Sequence, residues 1–232
     1  MNPVLRVDEL NFEVKRSSRR QALELIVDRG GELVIAAPAE TNEAAMAEFV
    51  REKKFWLYRK LAEKETKQQP STAREFVSGE GFPYLGRSYR LLLVRDQEQP
   101  LKLANGRFKL RADLAPQGRE PFIRWYSKRA RAWLSKRIQS WAPRVGVEPQ
   151  GIEVRDLGYR WGSCGKSGSL NFHWATILLP PSVIDYVIVH ELVHLLEPNH
   201  TPLFWQQLGR VLPDYEQRKI WLAEKGGAYT SL

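Results

Sequence analysis

Residues 190–200 read His190-Glu191-Leu192-Val193-His194-Leu195-Leu196-Glu197-Pro198-Asn199-His200, and they hold three of the chain's four histidines. On a helix of 3.6 residues per turn, His190 and His194 lie one turn apart on one face. Glu191 projects about 100° round the same helix. In this H-E-x-x-H arrangement two imidazoles hold zinc and the carboxylate acts as general base on water at the metal. Pro198-Asn199 breaks the helix, so the chain can double back and bring His200 to the same ion.

The flanking sequence supports a buried helix. Ser182 reads as its N-cap, with Asp185 three residues on as a carboxylate variant of the capping box. Val183, Ile184, Tyr186, Val187, Ile188, Val189, Leu192, Val193, Leu195 and Leu196 are apolar on nearly every side. Two histidines and a glutamate buried there need partners, which a metal and its water supply. Pro198 should end the helix just after Leu196 or Glu197. Thr201-Pro202 then reads as N-cap and first residue of the next helix.

The spacing from His190 to His200 is that of metzincins, but Glu197 stands where they have glycine. The methionines, Met1 and Met46, lie far upstream, so no methionine turn follows. A glutamate from a later helix is the other zincin solution, with Glu216 and Glu224 as candidates. His200 is the preferred third ligand.

The chain has 232 residues, 43% of them hydrophobic, with eight tryptophans, as expected of a folded protein. No run of 18 apolar residues predicts a membrane span. Asp8 and Glu9 fall where a signal peptide needs an apolar core. One cysteine cannot form an internal disulfide, which fits a reducing cytoplasm. The net charge of +9 favours acidic partners such as nucleic acid, nucleotides or acidic peptides. No zinc finger, RNP motif or Walker loop accompanies that charge.

The organisation is α+β, with a β-rich N-terminal part over 1–115 and a catalytic part over 116–232. Leu5–Val7 and Leu10, Phe12 and Val14 alternate as strands. Leu23, Leu25 and Val27 turn through residues 28–31 into Leu33 and Ile35, a hairpin. A helix over 42–65 follows from Thr41 or Asn42, with Ala45, Phe49, Phe55 or Trp56, and Leu61 on its buried side. Residues 66–74 read as a linker. Tyr84 to Val94 should pair with all or part of Leu101 to Leu114, where Asn105-Gly106 marks a tight turn. A helix from near Pro121 buries Tyr126, Ala130, Trp133, Leu134, Ile138 and Trp141. Its opposite face, Arg124, Lys128, Arg131 and Arg137, reads as solvated. No internal repeat is legible.

Ile152 to Tyr159 and Ser169 to Leu179 read as strands around a glycine-rich turn before the histidine helix. An extended substrate can pair with a strand in this position. Arg160 is a candidate for stabilising developing negative charge, or for pairing with Asp185. Tyr186 is a second candidate for contacting the transition state. Cys164 reads as a small buried thiol, and His173 as a packed or hydrogen-bonded histidine.

Several segments together resemble the YgjP-like metallopeptidase family. They are Arg160-Trp161-Gly162-Ser163-Cys164, Gly168-x-Leu170-x-x-His173, Pro180-Pro181-Ser182-Val183-Ile184-Asp185-Tyr186, the His190–His194 motif and Asn199-His200-x-x-x-Phe204-Trp205. Gly79-Glu80-x-x-x-Tyr84-Leu85-Gly86-Arg87-x-Tyr89 resembles the family's middle segment. The resemblance runs roughly from residue 10 to 225. It implies a zincin-like catalytic part, zinc on His190, His194 and His200, and a catalytic Glu191. The expected function is a zinc metallohydrolase cleaving peptide bonds. Pyrophosphatase activity on UTP, also associated with a member of the family, is one alternative. The other is a non-enzymatic, zinc-stabilised nucleic-acid-binding module, which a fourth protein ligand such as Cys164 would favour.

Overall fold

Short strands with tight turns build the first part of the chain. In the computed structural model, which describes residues 3–27, 32–54, 57–58, 74–158, 160–165, 167–230 and 232, they form β1 (Val4–Val7), β2 (Leu10–Ser17), β3 (Glu24–Val27) and β4 (Leu33–Pro38). The sheet order is β1-β2-β4-β3. The expected hairpin of β3 and β4 is present, and its turn at 28–31 lies outside the described residues. The central pair, β2 and β4, runs parallel, with Phe12 opposite Leu33.

Helix α1 (Glu43–Glu52) starts at Asn42, whose side chain accepts the Ala45 N–H at 2.8 Å. Its buried residues are Met46 and Val50; of the expected pair, Phe49 packs partly buried against the same core and Ala45 is exposed. Helical periodicity leaves the phase open by one residue, and the face carrying the bulkier Met46 packs under Phe12 and Ile35. Leu57 and Tyr58 are also helical. The rest of the expected 42–65 helix beyond Lys54, including Phe55, Trp56 and Leu61, and the linker before Arg74 lie outside the described residues.

A second sheet, β5 (Gly81–Tyr84), β6 (Arg87–Val94), β7 (Leu101–Ala104) and β8 (Arg107–Arg111), has the order β5-β6-β8-β7. The expected pairing of 84–94 with part of 101–114 is present, but it is parallel and not a hairpin. Asn105 and Gly106, at φ 52° and 69°, fold 101–111 on itself as β7 and β8, and β6 meets β8 in parallel. Both sheets thus share one topology, a pair of hairpins joined by a parallel central pair, though the sequence shows no repeat.

A 3-10 turn (Ala112–Gln117) leads into α2 (Arg119–Val145), which buries Phe122, Tyr126, Ala130, Leu134, Ile138 and Trp141. Phe82 of β5 stacks on Phe122 at 4.2 Å between centroids. Phe82, Phe108 and Leu110 belong to one core with α2 and the histidine helix. The chain accordingly divides into two compact units, Met1–Ser71 and Thr72–Leu232. The division expected between 115 and 116 falls inside the second unit, because the apolar face of β5–β8 is covered by α2.

The second unit continues with β9 (Gly151–Arg155), β10 (Gly162–Cys164) and β11 (Ser169–His173), in the order β10-β11-β9. Both expected strands are cut short by side chains that capture backbone. Asp156 accepts the Gly158 N–H at 2.7 Å, and His173 Nδ1 accepts the Ala175 N–H at 3.0 Å. Tyr159 lies outside the described residues. A 3-10 segment (Trp174–Leu178) precedes α3 (Pro181–Val193), α4 (Pro202–Val211), α5 (Tyr215–Lys225) and a last 3-10 turn (Gly226–Tyr229). The β5–β6 turn docks on this lead-in. Leu85 N–H donates to Ile177 O at 2.9 Å and Gly86 N–H to Leu178 O at 3.0 Å. Gly86 has φ +75°, and a Cβ there would lie 2.8 Å from Pro180 Cα. The fold is α+β throughout. Among the described residues no helix is long and apolar enough to cross a membrane.

Candidate metal centre

Helix α3 starts at Pro181, and its N-cap lies two residues before the expected Ser182. Pro180 is the N-cap and Pro181 the first residue, with no side-chain cap bond. Asp185 does not close a capping box. Its carboxylate is taken by Arg137 of α2, through Nε at 2.8 Å and also through Nη2. Arg137 therefore has a structural partner, unlike the solvated role expected of it, and it lies over the Trp133 ring at 5.6 Å. Residues 183–189 and 191–193 of α3 are all buried.

The helix proper ends at Val193, with His194 as C-cap, earlier than the expected Leu196 or Glu197. Leu196 and Glu197 still donate to Val193 O, each at 2.9 Å, so a tight turn carries the chain on. Thr201 caps α4 by accepting the Phe204 N–H, as expected. Between these two caps the chain reverses and delivers His200.

The three histidines converge. One ring nitrogen from each of His190, His194 and His200 lies within 4.8 Å of the others. His200 Nε2 is 3.0 Å from His190 Nε2. His194 Nδ1 is 3.1 Å from Glu197 O, which fixes Nδ1 as the donor and orients the ring. Among the described residues Glu216, Glu224 and Cys164 do not join this group. Phe204 backs all three rings, at 4.9, 4.6 and 4.7 Å between centroids.

Burial sets the charge states. It pushes His190 down to about 3, helped by His194, His200 and Lys219. His200 is lowered by the same causes, burial first. Neutral imidazoles with free lone pairs are the form a metal needs. Glu191 is buried and pushed up to about 8, against the opposing pull of the Arg160 charge and the Cys164 N–H. Its Oε2 is buried without a hydrogen-bond partner among the described residues, as is His190 Nδ1. Orphaned polar atoms of this kind fit a site built for an ion and a ligand.

Gly162 on the edge strand β10 makes room for that carboxylate. A Cβ at Gly162 would lie 2.7 Å from Glu191 Cγ and Oε1. Tyr186 packs edge-on to His190 at 5.8 Å and is pushed up to about 12, by burial and then by Glu191 and Tyr215, so its phenol stays protonated. Arg160 is exposed, within electrostatic range of Glu191. Cys164 is half-buried, and burial and Glu191 raise its pKa and keep it a thiol. His173 is buried, with Nε2 3.3 Å from Asp156 Oδ1, a packed histidine as expected.

The sequence matches the family model described as "YgjP-like, metallopeptidase domain" over residues 21–225. The chain belongs to that family. No curated protein matches it. Among solved structures, the metallopeptidase zymogen of Pyrococcus abyssi abylysin matches at 20% identity and a TM-score of 0.35, covering 38% of this chain and 91% of its own. Membership of the YgjP-like family places the protein among metallohydrolases and implies a divalent metal, for which the three histidines are the available donors.

Within this YgjP-like site, sequence reasoning missed Gly162 and Lys219. Gly162 was one glycine in a dense run, and only its distance to Glu191 singles it out. Lys219 lies four residues after Tyr215, hence on the same face of α5, but nothing local ties either to the histidines.

Proposed function

We propose that the protein is a zinc-dependent metallopeptidase in which His190, His194 and His200 hold the metal and Glu191 is the general base. The observation that carries this reading is a buried, unpartnered carboxylate beside three converging imidazoles, two of them with pKa values lowered by burial. Zinc in an open three-ligand site supplies Lewis acidity and brings water within reach of deprotonation near neutral pH. Glu191, buried beside the three histidines, can take a proton and return it to the leaving amine. Arg160 and the Tyr186 hydroxyl are proposed to face negative charge developing on the substrate. β10 is the edge strand of its sheet and lies beside Glu191, and the proposed extended peptide adds along it, which favours a peptide over a nucleotide. A structural zinc site would be closed by a fourth protein ligand, and among the described residues none joins the three histidines. With a single cysteine, the proposed compartment is the reducing cytoplasm.

The test is metal analysis together with turnover. Glu191→Gln should keep one equivalent of zinc and lose at least about a hundredfold in peptide cleavage. His194→Ala should lose the metal. An active Glu191→Gln protein would remove the assigned base. Pyrophosphate release from UTP without peptide cleavage would replace the substrate class.

A further inference from the structure

Two neighbouring cations on α5 have different fates. Arg218 is used by the fold, with Nε and Nη2 on Asp214 at 3.0 and 2.8 Å and Nη1 on Ser182 O at 2.8 Å. Lys219 is exposed and, among the described residues, forms no ion pair. Its ammonium lies 4.1 Å from the centre of the Trp205 ring. That ring is itself fixed, stacked on Tyr215 at 5.7 Å and packed against His200 at 5.6 Å and His190 at 6.3 Å. With a divalent metal on these histidines, a cation one aromatic ring away would be repulsive by itself, since like charges raise each other's energy. An anion placed between them turns the repulsion into two attractions.

We propose that Lys219, resting on Trp205, is a specificity-determining residue that receives a negatively charged group of the substrate close to the scissile bond. This rests on the metallopeptidase reading. The anion is a free α-carboxylate, an acidic side chain or a phosphoryl group, which share the chemistry an ammonium recognises. Contact with an ammonium on an aromatic platform selects for charge and position, while the edge of β10 is indifferent to side-chain charge.

The experiment uses the full-length, metal-loaded protein carrying Glu191→Gln, so that binding is read without turnover. Four probes are titrated calorimetrically: an acetylated tripeptide with a free carboxylate, its C-terminal amide, an amidated tripeptide with a glutamate side chain, and inorganic phosphate. At least one anionic probe should bind more tightly than the neutral amide. Lys219→Ala should weaken that probe about tenfold, Lys219→Glu should weaken it further, and Lys219→Arg should restore it. Binding of the neutral amide should not change. The probe that responds identifies the source of the charge. The proposal is overturned if no anionic probe outcompetes the amide, or if Lys219→Glu binds anionic and neutral probes as its parent does. Absence of metal-dependent peptide turnover by the protein with Glu191 intact would instead defeat the metallopeptidase reading, and the titrations would still decide Lys219.

Discussion

Glu191 carries a conflict that its surroundings do not relieve. Its carboxyl is buried and pushed up to about 8, mainly by desolvation, from an ordinary value of 4.5. A carboxyl raised in the folded state leaves stability intact below the unfolded pKa and loses it as pH rises toward the folded one. In the metal-stripped protein, Glu191 should therefore destabilise progressively between pH 4.5 and about 8. Glu191→Gln should match wild type at pH 4.5 and melt higher at pH 9, by on the order of a few kcal/mol at most. Equal melting at both pH values would contradict the assigned burial. Gly162 is the other residue decided by this carboxylate. Gly162→Ala places a methyl 2.7 Å from Glu191 Cγ and Oε1, so the glutamate must move. A displacement near 1 Å is worth about a hundredfold in rate, so turnover should fall 10- to 100-fold with bound zinc unchanged. Parallel metal analysis and kinetics separate this from loss of the ion. The converging histidines and the buried Glu191 were visible as a group in the sequence, His190, Glu191 and His194 because four-residue spacing on a helix is a local signal, and His200 because Pro198 breaks the helix before it. Gly162 was not, because its reason is a contact across 29 positions of chain.

Elements explain where local reading failed. Ser182 and Asp185 have the spacing of a capping box, yet a stronger partner, the Arg137 guanidinium, draws Asp185 away to α2. The basic face of α2 looked uniformly solvated because side-chain chemistry alone does not tell which arginine meets another helix. This pair also ties the helix that bears His190 to the longest helix of the unit. Its Asp185 side chain is 9% exposed and its Arg137 side chain 37%. Arg137→Ala should leave a nearly buried carboxylate without its partner and cost about 2–3 kcal/mol, below the full penalty for a deeply buried pair because the arginine side is half in water. Replacing both, as Arg137→Met with Asp185→Leu, should recover most of that loss. Urea unfolding of Arg137→Ala, and of the cycle of wild type, Arg137→Met, Asp185→Leu and their double variant, measures both. Additive losses would mean the two side chains do not interact. The hairpins and the apolar stripe of α2 were readable from period and turn residues, whereas the parallel direction of the β6–β8 pairing was not, because parallel neighbours are brought together over a crossover.

At the scale of the molecule, the same limit explains the displaced boundary. Composition suggested a β-rich half followed by a catalytic half. The second sheet instead shares a core with α2 and α3, through Phe82, Phe108, Phe122, Tyr126 and Ile188. The two sheets repeat one strand order without a legible sequence repeat, because topology depends on which edges pair and not on which apolar residues fill the pleat. The β5–β6 turn also anchors the lead-in to α3 through the Leu85 and Gly86 amides. The histidine site therefore depends on β5–β8 as structure, although no residue of that sheet is among the three histidines. A fragment of residues 72–232 should unfold cooperatively and bind one equivalent of zinc, because it keeps its whole core. A fragment of residues 116–232 should not. It would present Phe122 and Tyr126 to water, each 0% exposed in the intact unit, and bury too little apolar surface to offset the ordering of its chain. Denaturant titration with dye binding distinguishes the two. A cooperative transition in the shorter fragment would show that the catalytic half stands without the sheet and that the boundary belongs at 115 after all.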